Sequence, residues 1–252
     1  MLTTPVQDSM PLANDTTATP TGAVTLTPDL LRQRLAEAAA YAVLQRMAPV
    51  LRHDLVGTLQ PVAILMTLLQ RRIQIPEPDL QAIAKNLASV SAIAKEATTG
   101  CINAMGWITS KENPLVNLRT SVDEATQLMA MELSEAGLKI SNDILDNNTV
   151  VPQSFFRNVF IGALLAFCDQ TTSGGSLKVT LEAGPKDTDQ PTQLMLRILP
   201  GGTDKAPKIT TNNNIEPRSI DWTDIQALAG LFDVNMARGD QWLMLDMSAC
   251  SQ

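Results

Sequence analysis

His53 and Asp54 are the adjacent side chains with the clearest potential for chemistry, and His53 is the one histidine among 252 residues. A neutral imidazole is a nucleophile near pH 7. The Asp54 carboxylate can accept a hydrogen bond from one ring nitrogen, which fixes the tautomer and leaves the other nitrogen free to react. The pair therefore predicts group transfer through His53, oriented by Asp54. A surface histidine without a chemical role is the alternative.

The composition excludes several other kinds of site. With one histidine, neither a histidine-rich metal centre nor two-histidine catalysis can be built within one chain. Cys101, Cys168 and Cys250 are far apart and form no CxxC pair, so we expect neither a disulfide framework nor structural zinc, and a reducing compartment fits. The formal net charge is −7 and aromatic residues make up 4%. We therefore expect no nucleic-acid binding, which needs clustered Lys and Arg.

The hydropathy pattern predicts a globular, cytoplasmic protein without membrane insertion. Apolar residues make up 44% of the chain and charged residues 18%, a balance that supports a packed core. The longest apolar runs, residues 62–69 and 159–168, are too short to span a bilayer. Residues 1–13 lack the basic flank and apolar stretch of a signal peptide. Residues 1–27, rich in Thr, Pro, Ala and Asp, are expected to form a disordered tail.

The element that must position His53 is a long helix. Thr27 can cap its start, Pro28 occupies its first position, and the Pro-rich residues 75–78 end it near Gln74. His53 lies about 180° from the centre of an apolar stripe on this helix, so we expect it to point outward. The stripe recurs at steps of three and four residues: Leu51, Leu55, Thr58, Leu59, Val62, Leu65, Met66 and Leu69.

A second helix is predicted over residues 79–108. Two such helices joined by a short turn form an antiparallel hairpin, and one hairpin cannot bury both of its apolar seams. We therefore expect a homodimer in which two hairpins pair into a four-helix bundle. The apolar heptad positions of the second helix are Leu80, Ile83, Leu87, Val90, Ala94, Ala97, Cys101, Ala104 and Ile108.

The remaining chain mixes helices and strands without regular alternation. The patterns predict helices over residues 121–137, 152–168 and 221–232, and a loop over residues 200–220. Strands are predicted over residues 138–144, 176–181, 193–199, 234–237 and 242–247. The predicted fold class is therefore α+β: an antiparallel helical hairpin followed by a sandwich of one sheet with helices on one face.

The residues around His53 resemble the H-box of bacterial sensor histidine kinases. There, a helix of the dimerisation and phosphotransfer domain displays a phospho-accepting histidine followed by an acid, as in residues 51–59, Leu-Arg-His-Asp-Leu-Val-Gly-Thr-Leu. Residues 116–138 and 156–179 resemble helices and strands of the GHKL ATPase-like domain. The resemblance implies a tail at 1–27, a phosphotransfer hairpin at 28–112 and a GHKL-like domain at 113–252, with His53 accepting phosphate and Asp54 orienting it.

The nucleotide motifs of that family are degenerate in this chain. The family's magnesium-binding Asn lies eight residues before the double glycine, where this chain has Ala166. Leu199-Pro200-Gly201-Gly202-Thr203 replaces the D-x-G-x-G motif with its adenine-reading Asp, and residues 212–222 lack the second glycine-rich motif. Without these oxygen ligands, ATP binding is expected to be weak or absent, and no resident cofactor or metal is expected.

The H-box departs from the family pattern as well. Thr58 stands where a proline is usual, five residues after the histidine, and the proline of this helix is Pro61, whose ring would collide with the carbonyl of Gly57 and kink the helix. Gly57 stands where many kinases place a Thr or Asn for dephosphorylation, so that activity is not expected. The resemblance implies that a receiver domain docks on the residues around His53: Arg52, Val56, Gly57, Thr58 and Gln60.

Three functions are compatible with these residues. The first is a histidine phosphotransfer protein of a two-component phosphorelay, which exchanges phosphate at His53 with response regulator receiver domains that supply the Mg²⁺. The second is a pseudo-histidine kinase that binds and regulates a response regulator or kinase without transfer. The third, an ATP-dependent kinase, is disfavoured by the lost nucleotide motifs. The intact His-Asp pair favours the first function, whereas Gly57 and the missing proline favour the second.

Overall fold

The structure is a computed structural model that describes residues 27–109, 113–145, 148–171, 174–183, 191–201 and 218–249. The predicted tail, except for Thr27, and most of the predicted loop at residues 200–220 lie outside these ranges. In the described part of the chain, no helix combines the length and the apolar character that a membrane span requires.

Two long helices form the predicted hairpin. Helix α1 (Pro28–Ile73) has 46 residues and helix α2 (Leu80–Thr109) has 30. The side chain of Thr27 accepts a hydrogen bond from the amide of Leu30 at 3.3 Å, and the Asp79 carboxylate accepts one from the amide of Ala82 at 3.0 Å. These bonds satisfy first-turn amides that have no partner within the helix. Because α1 is the longer helix, its first part extends beyond the region that α2 can cover.

Helix α1 is continuous through its two prolines, Pro49 and Pro61. Neither proline has an amide hydrogen, so each leaves the carbonyl four residues earlier without its regular donor. The kink predicted between Gly57 and Pro61 stays a prediction.

The rest of the chain forms an α/β sandwich. Its helices are α3 (Leu118–Leu128), α4 (Ala130–Glu135), α5 (Gln153–Phe155), α6 (Ile161–Gln170) and α7 (Trp222–Gly230), with a π-helical turn (Phe156–Phe160) between α5 and α6. Its strands are β1 (Leu115–Asn117), β2 (Leu138–Asn142), β3 (Val150–Pro152), β4 (Gly175–Ala183), β5 (Pro191–Pro200), β6 (Asn235–Arg238) and β7 (Trp242–Asp246).

Five of these strands make one mixed sheet in the order β2-β4-β5-β7-β6. Strand β2 runs parallel to β4, and the other neighbouring pairs are antiparallel. Side chains alternate between the two faces, so that Leu177 and Val179 are buried under the helices whereas Lys178 lies on the opposite face. Helices thus cover one face of the sheet, and the predicted α+β class is confirmed.

Two short features differ from the predicted pattern. The single helix predicted over residues 121–137 is two helices, because the backbone leaves the α region at Met129, with φ −92° and ψ 10°. Strands β1 and β3, which pair as a separate antiparallel ribbon, were not predicted. Each has three residues, which is too short for an alternating pattern to stand out from the surrounding sequence.

The first half of α1 packs against the sandwich. Gly162 of α6 permits this close approach, because a Cβ there would lie 2.9 Å from Ile225 Cδ1 on α7 and 3.2 Å from Val43 Cγ2 on α1. The residues of α1 that belong to the buried core on this side are Ala39, Ala42, Val43 and Met47. Helix α1 is therefore shared by the hairpin and the sandwich.

Candidate functional site

His53 lies on the solvent-exposed side of α1, as predicted. On the opposite side, α1 contacts α2: a Cβ at Gly100 of α2 would lie 3.5 Å from Leu55 Cδ2. The partly or fully buried residues of that opposite side are Leu51, Leu55, Thr58, Val62, Leu65 and Leu69. The packing of α1 on α2 thus leaves the imidazole of His53 accessible to another molecule.

Asp54 is exposed beside His53, and no hydrogen bond joins the two side chains within the described residues. The hydroxyl of Thr58 donates to the backbone carbonyl of Asp54 at 2.9 Å, a common bond to the preceding turn. That bond uses the one proton that the Thr58 hydroxyl can donate. The orientation of His53 by Asp54 stays a prediction, because an exposed carboxylate can reach the ring only by a change of rotamer.

The predicted docking residues share the exposed side of the helix, with one exception. Arg52, Val56, Gly57 and Gln60 are exposed, and Val56 is 57% exposed. Thr58 is half-buried toward α2. At Gly57, a Cβ would have no heavy atom within 4 Å, so the helix surface one turn after His53 is open.

The helix face that carries His53 continues the face that the sandwich covers. Met47 is fully buried, Val50 is half-buried against the sandwich core, and Asp54 is exposed. His53 and Gly57 therefore lie just beyond the edge of the sandwich. One line of residues at steps of three and four follows this face: Ala39, Val43, Met47, Val50, Asp54, Gly57 and Pro61.

Arg46 fixes α1 to the sandwich two helical turns before His53. Its Nη2 lies 3.0 Å from a carboxylate oxygen of Glu132 on α4 and 3.0 Å from one of Asp169 on α6. The other Asp169 oxygen accepts a hydrogen bond from the amide of Ile220 at 2.9 Å. The Asp169 side chain is 11% exposed and those of Arg46 and Glu132 are each 22% exposed, so solvent screens these pairs less than surface pairs.

The thiol of Cys168, next to Asp169, is not a competing nucleophile. Burial, with a smaller contribution from Glu132 and Asp169, raises the pKa of the Cys168 thiol to about 12. A thiol with that pKa carries almost no thiolate at neutral pH, and the thiolate is the nucleophilic form.

One apolar side of the hairpin stays uncovered. Leu59 and Met66 belong to the stripe predicted on α1 but are 48% and 43% exposed. On α2, the heptad residues Leu80 and Leu87 are 73% and 58% exposed. A side of this kind, with several large apolar residues in a row, is typical of a protein–protein contact.

The structure places the residues that the resemblance aligns with nucleotide motifs in the core and at the end of a strand. Ala166 is fully buried in the core, and its methyl group offers no oxygen ligand. Gly162, one turn earlier on α6, is covered by Val43 of α1. At the end of β5, Gly201 packs against Gly175, because a Cβ at Gly201 would lie 3.2 Å from the Gly175 Cα. Residues 202–217, which include the triple asparagine, lie outside the described part of the chain.

A cavity of about 300 Å³ between the hairpin and the sandwich was not predicted from the sequence. Arg157, on the π-helical turn, lines it and lies over the ring of Trp107 with its Cζ 5.4 Å from the ring centroid. Burial lowers the pKa of this guanidinium, which nevertheless stays charged at neutral pH. No local sequence pattern relates Trp107 to Arg157, because the two residues are far apart in sequence and meet only in the folded chain.

The comparisons with known proteins gave structural neighbours only. No family model matches the chain, and neither does any curated protein. A structure of the Acinetobacter baumannii histidine kinase AdeS is 14% identical, covers 73% of this chain and 95% of its own, and gives a TM-score of 0.38. A structure described as a bacterial phosphotransferase is 15% identical, covers 88% of this chain and 97% of its own, and gives a TM-score of 0.31.

A third neighbour is histidine kinase ThkA in complex with the response regulator protein TrrA. It is 13% identical, covers 89% of this chain and 66% of its own, and gives a TM-score of 0.33. The neighbours include histidine kinase cytoplasmic and catalytic segments, the class that the H-box resemblance names. At these identities and TM-scores, nothing about the activity or partners of this chain follows from the likeness.

Proposed function

We propose that this chain is a histidine phosphotransfer protein that exchanges phosphate at His53 with receiver domains of response regulators. The observation that carries the proposal is the position of His53. It is the only histidine in the chain and is exposed on a long helix beside an acid. The sandwich, anchored through Arg46 two turns away, provides a fixed neighbouring surface for a docking partner.

The transfer step needs a neutral imidazole and a good leaving group. A ring nitrogen of His53 attacks the phosphorus of the receiver's aspartyl phosphate, and the P–N bond forms as the P–O bond to that aspartate breaks. The aspartate carboxylate leaves with the electron pair, and the charge that develops on the imidazole is stabilised by Asp54. The reverse step passes the phosphoryl group to another receiver. The Mg²⁺ of the reaction belongs to the receiver, so no metal site is required in this chain.

The residues of α6 argue against a nucleotide as the phosphate donor. Ala166 is fully buried, and its methyl group supplies no Mg²⁺ ligand. We therefore propose that the sandwich acts as a docking platform and binds no ATP.

A homodimer is the second part of the proposal. The uncovered apolar side, which includes Leu59, Met66 and Leu87, has the chemistry of a bundle seam. Two hairpins that pair along it would bury these side chains in a four-helix bundle. His53 lies on a different face of α1 from Leu59 and Met66, so pairing leaves it accessible.

A non-catalytic pseudo-histidine kinase is the second candidate. The absence of a hydrogen bond between His53 and Asp54 in the described residues, and the glycine at position 57, favour it. In that case, the same exposed face would bind a response regulator or a kinase and regulate it without phosphoryl transfer.

The test is transfer from isotopically labelled, phosphorylated receiver domains of the host to the purified chain. We expect acid-labile label on the wild type, no label on His53→Ala, and slower labelling of Asp54→Asn. Circular dichroism controls for folding of both variants, which carry exposed substitutions. Binding of a receiver without any His53-dependent label would establish the pseudokinase instead. Tight ATP binding by calorimetry would contradict the proposal and restore the kinase.

A further inference from the structure

The cavity between the hairpin and the sandwich lies where three elements meet. Ala40 and Leu44 of α1 form part of its wall, Gly106 lies near the end of α2, and the polar part of the wall comes from α5 and the π-helical turn. Its volume of about 300 Å³ is at the lower end of the range for pockets that hold small organic molecules. Groups from the hairpin and from the sandwich therefore surround the same space.

The polar groups of the cavity form an environment for an anion. Arg157 contributes a guanidinium, and three neutral side chains contribute amide or hydroxyl donors: Gln153, Ser154 and Asn158. The described residues that line the cavity include no acid, and within the described chain no carboxylate forms an ion pair with Arg157. In a chain whose net charge is −7, the cavity is thus a local region of positive charge.

Helix α2 holds the Arg157 guanidinium at the cavity. Its Cζ lies 5.4 Å from the centroid of the Trp107 ring, which is a cation–π contact. Gly106 leaves room for the group, because a Cβ there would lie 3.0 Å from Nη1 and 3.3 Å from Nη2 of Arg157. The ring does not neutralise the charge, and a half-buried cation without a counter-ion is unfavourable. A bound anion would therefore offset part of that cost.

The remaining lining favours a flat apolar group attached to the anion. Tyr41 and Trp107 place two aromatic rings at the cavity, although aromatic residues make up only 4% of the chain. Tyr41 is the one tyrosine in the sequence and is 66% exposed. The rings and the nearby methyl groups of Ala40 and Leu44 offer the contacts that a small ring makes. A molecule that combines one negative charge with a small ring fits both parts of the lining.

We propose that this cavity binds a small aromatic carboxylate, about the size of benzoate, whose charge is paired with Arg157. One cation in an acidic chain favours a singly charged carboxylate over a phosphate dianion. Because the hairpin and the sandwich both line the cavity, the bound acid would stabilise their packing on each other. His53 lies nine residues after Leu44 on α1, about 13 Å along the helix axis. The site is therefore separate from His53, and the proposal does not depend on phosphoryl transfer.

The experiment titrates the full chain with benzoate, with benzamide as its neutral isostere and with inorganic phosphate as an anion without a ring. Binding is followed by the NMR signal of the Trp107 indole N–H, which the variant Trp107→Phe identifies, and by thermal melting. Benzoate should shift this signal and raise the melting temperature, because it binds the folded state. Benzamide and phosphate should each bind at least about tenfold more weakly, since each lacks one of the two features that the cavity recognises.

Two glycines of α2 give a matched pair of variants. Gly106→Ala should weaken benzoate binding about fivefold to tenfold, because its Cβ displaces the guanidinium of Arg157. Gly100→Ala makes the same change on the same helix, but its Cβ would meet only Leu55 Cδ2 at 3.5 Å, so affinity should not change. Arg157→Gln keeps a polar side chain without the charge and should weaken binding about tenfold or more. Thermal melting without benzoate checks that all three variants fold.

Several outcomes would overturn the proposal. Equal affinities for benzoate and benzamide would show that the charge is not recognised, and equal affinities of the wild type and Arg157→Gln would place binding elsewhere. Glu112, outside the described residues, is the acid nearest to Trp107 in sequence. If Glu112→Gln binds millimolar benzoate and the wild type does not, a carboxylate of the chain itself is the occupant and the proposal is wrong. Absence of binding by both proteins rejects the site.

Discussion

The two halves of helix α1 differ in what covers them. In the first half, Ala39, Val43 and Met47 are buried under the sandwich, each with at most 1% exposure. In the second half, α2 covers one side and leaves Leu59 and Met66 more than 40% exposed. The same helix is thus a core element at one end and a surface element at the other.

The two halves of α1 therefore differ in how much of their apolar surface the described chain itself buries. Small residues in the first half, and Gly162 opposite them, allow the helix to lie close to α6 and α7. In the second half, large side chains on the side away from α2, such as Leu59 and Met66, lie largely in solvent. His53 lies just after the boundary between the two halves, where a rigid support and an accessible surface adjoin.

The largest expected effect comes from shortening matched methionines in the two halves. Met47→Ala should lower the free energy of unfolding by about 2–5 kcal/mol, because Met47 is fully buried in the core. Met66→Ala, at a side chain that is 43% exposed, should cost less than about 1 kcal/mol at low protein concentration. Urea unfolding of both variants measures the difference. Similar losses would show that the two halves are equally covered.

A charge on the open side should act on assembly and leave the fold intact. Leu59→Glu would place a carboxylate in the seam of the proposed bundle, which should weaken the dimer by about a hundredfold or more. Leu231→Glu, at a residue that is 52% exposed on the sandwich, is the control and should not change assembly. Sedimentation over a concentration series measures both. A wild type that is monomeric at all concentrations would contradict the dimer.

Removal of Arg46 should loosen the first half of α1 by a smaller amount. Arg46→Met keeps the apolar stem but leaves Glu132 and the partly buried Asp169 without their cation, at an expected cost of about 1–3 kcal/mol. Arg34→Met removes a pair with Glu37 whose side chains are 68% and 49% exposed, and should cost about 0.5 kcal/mol or less. Chemical unfolding compares the two. Equal costs would mean that the Arg46 pairs are screened like surface pairs.

The smallest effect concerns the cap of α7, the helix on which α1 rests. Asp221 accepts hydrogen bonds from the amides of Thr223 and Asp224 at 2.8 Å and 3.0 Å. Its pKa is lowered, chiefly by the hydrogen bond from the Thr223 hydroxyl. A carboxylate with a lowered folded pKa stabilises above its unfolded pKa of about 4, and this contribution is lost as the pH falls through the folded value.

The corresponding variant is Asp221→Ala. It should cost about 1 kcal/mol at pH 7, as for other helix caps, and less as the pH falls below about 4. Asp240→Ala, at an exposed residue between β6 and β7, is the control with no expected change. Thermal melting at pH 7 and at a pH below about 4 measures how far each substitution lowers the melting temperature. A cost for Asp221→Ala that does not change with pH would show that the charge of the carboxylate plays no part.

The hairpin followed directly from local sequence signals. Thr27, Pro28 and the Pro-rich turn after Gln74 mark ends that the structure places within one residue, because caps and prolines act on the nearest turn. The exposed position of His53 followed from helical periodicity alone. These features depend on residues close in sequence, so they could be predicted without the fold.

The packing of α1 on the sandwich could not be predicted in the same way. Ala36, Ala39 and Ala42 are buried, but alanine is common on both covered and exposed helix faces and so carries little information about burial. Arg46 meets Asp169 across 123 residues, and no local pattern relates them. Likewise, the sequence marked Gly57 only as a departure from a family motif and did not show that the space around it is free.

The continuity of α1 also has a consequence for producing parts of this protein separately. The predicted boundary near residue 112 falls between two segments of sequence, but the helix that covers Gly162 comes from the segment before it. Expression of residues 113–252 alone would leave that apolar face in water and Asp169 without Arg46, so we expect an insoluble product. Addition of residues 28–50 as a separate peptide should restore solubility. The peptide would then bind the sandwich as a separate molecule, at the site that the first half of α1 occupies in the intact chain.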